Sequence, residues 1–230
     1  MMTTFKFKKQ GGMSIIESMV GTALIGTLLA SVMVLQSRAG NETSGRSNAD
    51  SLASFQQLAG QYFISNRTAI ESAMGGDAAS ITLHCQINVA SGSSVGTNAN
   101  NTTKRTCAFD TTLLRAKGLW PAGISTDVAG PGRWVAIARQ VMSSGTATGA
   151  SEMLIVMAPL VAGNVSSGSA VSFTGDTRRA SEEISAGMAA LGANGGFIPP
   201  GSDYGNCQYN VTTKQVCGTG WVVTLSDFIN

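Results

Sequence analysis

The segment KKQGGMSIIESMVGTALIGTLLASVMVLQSRAG, residues 8–40, limits what this chain can fold into more than any other. Residues 18–37 carry no charge. Twenty helical residues span about 30 Å, the thickness of a bilayer's hydrocarbon core. Lys6, Lys8 and Lys9 precede this run and no acid does, so the positive-inside bias places the N-terminus on the cytoplasmic side. Glu17 stands at the head of the run. A lone carboxylate costs about 2.5–3.5 kcal/mol at the centre of a membrane helix and less near its ends. A secretory signal cut near Ala30, or a plain anchor, accounts for the apolar length but gives Glu17 no role.

A basic leader ending in Gly12, followed by Met13 and an apolar segment whose fifth residue is Glu17, resembles the N-terminus of type IV pilins and pseudopilins. The resemblance implies that a prepilin peptidase cuts between Gly12 and Met13, that the new Met13 amine is methylated, and that the helix is kept. Residues four apart share a helix face. Glu17 of one subunit is then placed to meet the Met13 amine of a neighbour and to set the register of assembly, because opposite charges attract strongly in a low dielectric. Met13 in the first position suits the type IVb subclass. The segments LLRAKGLWPAGIS, GPGRWVAIARQV and ISAGMAALGANGGFIPPG are similar to the constant region of shufflon-type minor pilins of type IVb thin pili.

The helix is expected to run on past the apolar run. Leu52, Phe55, Leu58, Ala59, Tyr62 and Phe63 recur at three- and four-residue spacing, and Gly75-Gly76 is a stop. A helix over 14–73 is about 90 Å long. Gly40 to Gly45 is the expected bend or local melting point, since each glycine costs about 1 kcal/mol relative to alanine.

The remainder reads as a head of mixed helix and strand. ITLHCQINV, 81–89, alternates with a two-residue period and predicts a strand. Residues 91–103 predict an exposed loop. TTLLRAKG, 111–118, predicts a short helix. RWVAIARQV and EMLIVMA predict central strands joined by a polar turn. Residues 176–192 predict an amphipathic helix capped by Asp176 or Thr177, with Ile184, Met188 and Leu191 inward. CQYNVTTKQVC, 207–217, predicts a hairpin, and WVVTLSDF a terminal strand.

The four cysteines are Cys85, Cys107, Cys207 and Cys217. An even number behind an export-type N-terminus favours disulfides. Three pairings are possible. The expectation is Cys85–Cys107 and Cys207–Cys217, which close two local loops, each contributing about 2–4 kcal/mol.

Several chemistries find little support. Only 12 % of the 230 residues are charged, while 43 % are hydrophobic, which fits a packed or exported protein and not a disordered one. Without residues 1–12 the balance is 12 basic against 13 acidic residues, so no nucleic-acid partner is expected. The sole histidine, His84, is expected on the polar face of the first strand, so no triad and no metal set is expected. GGDAAS and GANGG lack the frame of a phosphate loop. Trp120, Trp134 and Trp221 are expected in the core.

The expected protein is therefore α+β and pilin-like, with a long N-terminal transmembrane or spine helix packed on an antiparallel sheet and a C-terminal disulfide loop. Its parts are a cleaved leader at 1–12, a transmembrane and polymerisation helix at 13–40 and a head at 41–230. The expected function is that of a non-enzymatic structural subunit of a type IVb-like pilus, serving adhesion or conjugative transfer, without a cofactor. Its partners are the inner membrane before assembly, prepilin peptidase and other pilin subunits. Its location is the inner membrane as a precursor and then an extracellular pilus. The alternatives are a major pilin and a pseudopilin of a secretion machine.

Overall fold

The computed structural model describes residues 15–90, 92–126, 133–162, 171–173, 187–197 and 215–228. The chain divides into two compact units, residues 1–41 and 42–230. Helix α1, Ile15–Ser65, contributes residues to both. It is interrupted at Asn66 (φ −119°, ψ 19°) and followed by α2, Arg67–Met74, which ends at Gly75. Gly76 has φ +103°, a left-handed conformation that glycine adopts at no steric cost. The helix is not broken at Gly40 to Gly45, where a bend or local melting is expected, because residues 40–45 are helical within α1. Arg38, Glu42, Arg46 and Asp50 alternate in sign at four-residue spacing along this stretch.

The transmembrane reading of this helix requires correction. Among the described residues, no helix is long and apolar enough to cross a membrane. The physical reason lies in how the described side chains of α1 are used. From Leu29 onward, apolar residues are interleaved with Ser31, Gln36, Gly40, Thr43, Ser47 and Asp50. The apolar stripe that follows, Leu52, Phe55, Ala59, Tyr62 and Phe63, is buried against the head. The transmembrane spine helix and the inner-membrane precursor expected from the sequence are both overturned by this finding.

The strand expected at 81–89 is also corrected. Helix α3, Ala78–His84, occupies most of it, and only Gln86–Ile87 forms a strand, β1. Asp77 caps α3, its side chain accepting a hydrogen bond from the Ser80 N–H at 2.9 Å. A local cap thus outweighs the two-residue hydrophobic period. Strand β1 pairs antiparallel with β2, Thr97–Asn98, inside the segment expected to be a loop. Gly96 makes that pairing possible, since a Cβ there would collide with the Ile87 carbonyl oxygen.

The main sheet is built from β3 (Asn100–Asn101), β4 (Thr106–Asp110), β5 (Arg133–Ser143), β6 (Thr146–Ala162), β7 (Val171–Phe173), β8 (Gly195–Phe197), β9 (Val216–Gly218) and β10 (Trp221–Val223). Its order is β10-β9-β8-β6-β5-β4-β3, with β7 also on β6. The expected all-antiparallel sheet is corrected in one place, because β6 and β8 run parallel. The expected central strands are β5 and β6, joined by the tight turn at Ser144-Gly145, where both residues have positive φ. Helix α4, Thr111–Ala116, follows β4 without a loop, where a short helix is expected. Of the helix expected at 176–192, residues 187–191 are helical, with Leu191 buried and Met188 packed beside it; its earlier part lies outside the described residues.

Residues 134–138 of β5 and 154–156 of β6 are buried on both faces of the sheet, which explains why these stretches read as near-continuous apolar runs. Cys107, Phe109, Trp134, Ala136, Ala138 and Ile155 face α1 and α2. Ala108, Val135, Ile137, Leu154 and Val156 face the opposite side with Val216, Val223 and Phe228. Rings interlock across the first interface, with Phe55 edge-on to Trp120 at 6.3 Å and Tyr62 edge-on to Phe109 at 5.1 Å. The sheet curls until the 3-10 turn after β10, Leu225–Asp227, reaches the far edge. There the Asn101 amide donates to the Ser226 carbonyl at 3.0 Å, and the Thr106 hydroxyl donates to the Asp227 carbonyl. Phe228 is fully buried beneath this closure.

Candidate functional site

The junction of β4 and α4 is organised by Asp110. Its side chain is fully buried and caps α4. Oδ1 accepts from the Thr112 N–H at 2.9 Å, the Leu113 N–H at 3.1 Å and the Thr112 hydroxyl at 2.5 Å. Oδ2 accepts from the Asn88 N–H at 3.0 Å. The Thr112 hydroxyl in turn accepts from the Val89 N–H at 2.8 Å. One carboxylate therefore ties the chain after β1 to the first turn of α4. Burial pushes the Asp110 carboxyl above its ordinary range, against the pull of these donors and of the Arg133 charge. The Cys85–Cys107 disulfide, closing a separation of 22 residues, links the end of α3 to β4 beside this junction.

Two arginines complete the site. Arg133 opens β5, where the register with β6 is irregular, and its Nη1 donates to Asn88 Oδ1. Asn88 has φ +55°, a left-handed conformation that asparagine tolerates better than most residues. Arg115, in the last turn of α4, donates from Nη2 to the carbonyls of Ile124 and, at 3.3 Å, Pro121. Its Nε is buried and has no hydrogen-bond partner among the described residues. Arg115, Arg133, Asn88, Ser94, Thr112 and Thr126 help line an open cleft of about 730 Å³.

A second cluster lies under α1. The Tyr62 hydroxyl and His84 Nδ1 are 2.8 Å apart. Burial raises the Tyr62 phenol above its ordinary range. Burial, then the Lys117 charge, holds the His84 imidazole below its ordinary range. Both shifts favour neutral forms, so a neutral hydrogen bond joins the pair. The sequence places His84 on the solvent face of a strand; it sits instead at the end of α3, half-buried against Tyr62. Among the described residues, no group of three or more His, Cys, Asp or Glu could hold a metal ion.

The residues expected to matter from the sequence fall elsewhere. Gly12 and Met13 lie outside the described residues. Glu17 belongs to α1, but its side chain is not among those described. Cys85 and Cys107 are bonded as expected. Cys217, in β9, is disulfide-bonded, while Cys207 and the hairpin expected around it lie outside the described residues. All three tryptophans are buried, as expected. Sequence reasoning missed Asp110, Asn88, Arg115 and Arg133. Asp110 was detectable, because an aspartate directly before TTLLRA is an N-cap signature. Nothing local marks Asn88 or Arg133 as neighbours, since they are 45 residues apart.

No protein-family model, curated protein or solved structure matches the chain.

Proposed function

We propose that this chain is a structural subunit of a type IVb-pilus-like filament, matured by a prepilin peptidase between Gly12 and Met13 and assembled through its N-terminal helix. One observation carries the reading. The leader glycine and Met13 stand in the pilin order directly ahead of a helix of 51 residues, Ile15–Ser65, which carries Glu17 in its first turn. Its apolar residues Leu29, Val32, Met33 and Leu35 are 54 %, 47 %, 66 % and 64 % exposed. A helix face of that kind is poorly satisfied in a monomer and gains by packing against other helices. Its last turns, by contrast, are buried in the head. The division of labour suits a polymer, with one part of the helix holding the head and another left for neighbours.

N-terminal sequencing of the protein, co-produced with and without a prepilin peptidase, tests the reading. Met13 is expected as the first residue only when the peptidase is present. A first residue near Ser31, or an uncut chain in both cases, overturns it. Glu17→Ala is expected to be cut normally but to enter filaments poorly. Normal incorporation would remove the charge-register role.

A further inference from the structure

A second cleft, of about 580 Å³, opens beside α3 and the β1–β2 ribbon, and the carboxamides Gln86, Asn98 and Asn100 line it. Gln86 is 1 % exposed, and both ends of its side chain are in use. Its Oε1 accepts from the Gly96 N–H at 2.6 Å and its Nε2 donates to Asn98 Oδ1 at 2.9 Å. A backbone N–H can only donate. The Gln86 oxygen must therefore face Gly96, its nitrogen must face Asn98, and Asn98 must answer with oxygen. That leaves the Asn98 amide nitrogen without a partner among the described residues, on an exposed side chain. Asn100 is the sharper case. It is only 8 % exposed, yet its carboxamide makes no hydrogen bond among the described residues. A carboxamide buried this far is normally paired. Ala99, between the two asparagines, is buried in the inner core. In an extended chain the residues on either side of it face the other way, and both line the same cleft.

We propose that this cleft binds a neutral sugar. A carboxamide sets a donor beside an acceptor, as neighbouring sugar hydroxyls do, and Asn98 and Asn100 hold the free ones side by side. The Thr97 hydroxyl adds a third group that can act either way. An apolar ligand would strip water from these groups and give no hydrogen bond in return. A peptide main chain also pairs donors with acceptors, but peptide recognition gains its specificity from pockets for side chains. Val95 is the only apolar side chain among the described residues that line the cleft. The volume lies within the roughly 300–1,000 Å³ common for small-molecule sites. The proposal concerns the head alone and does not depend on filament assembly.

Saturation-transfer NMR titrations of the full chain test it, with the methyl glycosides of glucose, galactose, mannose and N-acetylglucosamine and with N-acetyl-triglycine amide as the peptide probe. At least one glycoside is expected to bind, about tenfold or more tighter than the peptide. Asn100→Leu is close in size and removes only unpaired groups. It is expected to weaken that glycoside about tenfold or more while the melting temperature holds or rises, because no bond inside the protein is lost. Asn98→Ala, at an exposed position, is expected to weaken binding in the same direction with an unchanged circular dichroism spectrum. Binding by no glycoside, peptide binding as tight as the best glycoside, or unchanged affinity in Asn100→Leu overturns the proposal. A lower melting temperature in Asn100→Leu would give the carboxamide a structural role and overturns it too.

Discussion

At single residues, two polar groups do most to shape the head, the fully buried Asp110 and the half-buried His84. Asp110 satisfies donors from two segments, the chain after β1 and the first turn of α4, that an apolar side chain would orphan. Asp110→Ala is expected to cost about 2 kcal/mol, the upper end for loss of an N-cap, and Asp110→Asn distinctly less, both read from urea midpoints. His84 makes stability depend on pH. Burial lowers its folded-state pKa, so the unfolded chain takes up a proton first as the pH falls. Stability is therefore full above about pH 6.5 and declines as the pH drops from there through the lower folded-state value. Melting temperatures measured between pH 7.5 and 5 check this, and His84→Gln is expected to flatten the profile in that window. An equally steep decline in the variant would assign the effect to other groups.

Among the elements, the decisive contrast is between signals that act within one turn and those that act across strands. Asp77 turns an alternating apolar sequence into the helix Ala78–His84 by satisfying one backbone donor. Across strands, β8, β9 and β10 are held by an aromatic lid. The Trp221 indole covers Gly196 and Gly218, filling the space where a Cβ would be, and its Nε1 donates to the Ala193 carbonyl at 2.9 Å. GANGG, a glycine turn in the sequence, is thus partly a strand whose glycines let the tryptophan approach. Gly218→Ala is expected to push the indole off and cost about 1–3 kcal/mol, as overpacking does. Gly123→Ala, which meets nothing within 4 Å, is the neutral control. Thermal denaturation with near-ultraviolet circular dichroism reports both.

For the whole molecule, the curled sheet has two cores, one under the helices and one inside the curl. The inner core is closed by Phe228 and by hydrogen bonds from Asn101 and Thr106 to the turn Leu225–Asp227. Phe228→Ala is expected to cost about 3–5 kcal/mol and to raise amide exchange in β3 and β4 before the helices, which hydrogen exchange resolves by segment. Equal loosening throughout would mean that the closure is not a separate unit. The sequence by itself determined the helix up to Gly75, the turn between β5 and β6, helix α4 and the Cys85–Cys107 pair. Each of these rests on spacing within a few residues or on one short loop. It also supplied the order Gly12, Met13, Glu17, which the proposed function rests on. Its transmembrane reading of α1 did not hold, since among the described residues no helix is long and apolar enough to cross a membrane. The parallel pairing of β6 with β8, the curl and the cleft of Arg115 and Arg133 were decided only by tertiary structure. They depend on contacts between segments tens of residues apart, whose free energy is set by mutual burial and not by any local pattern.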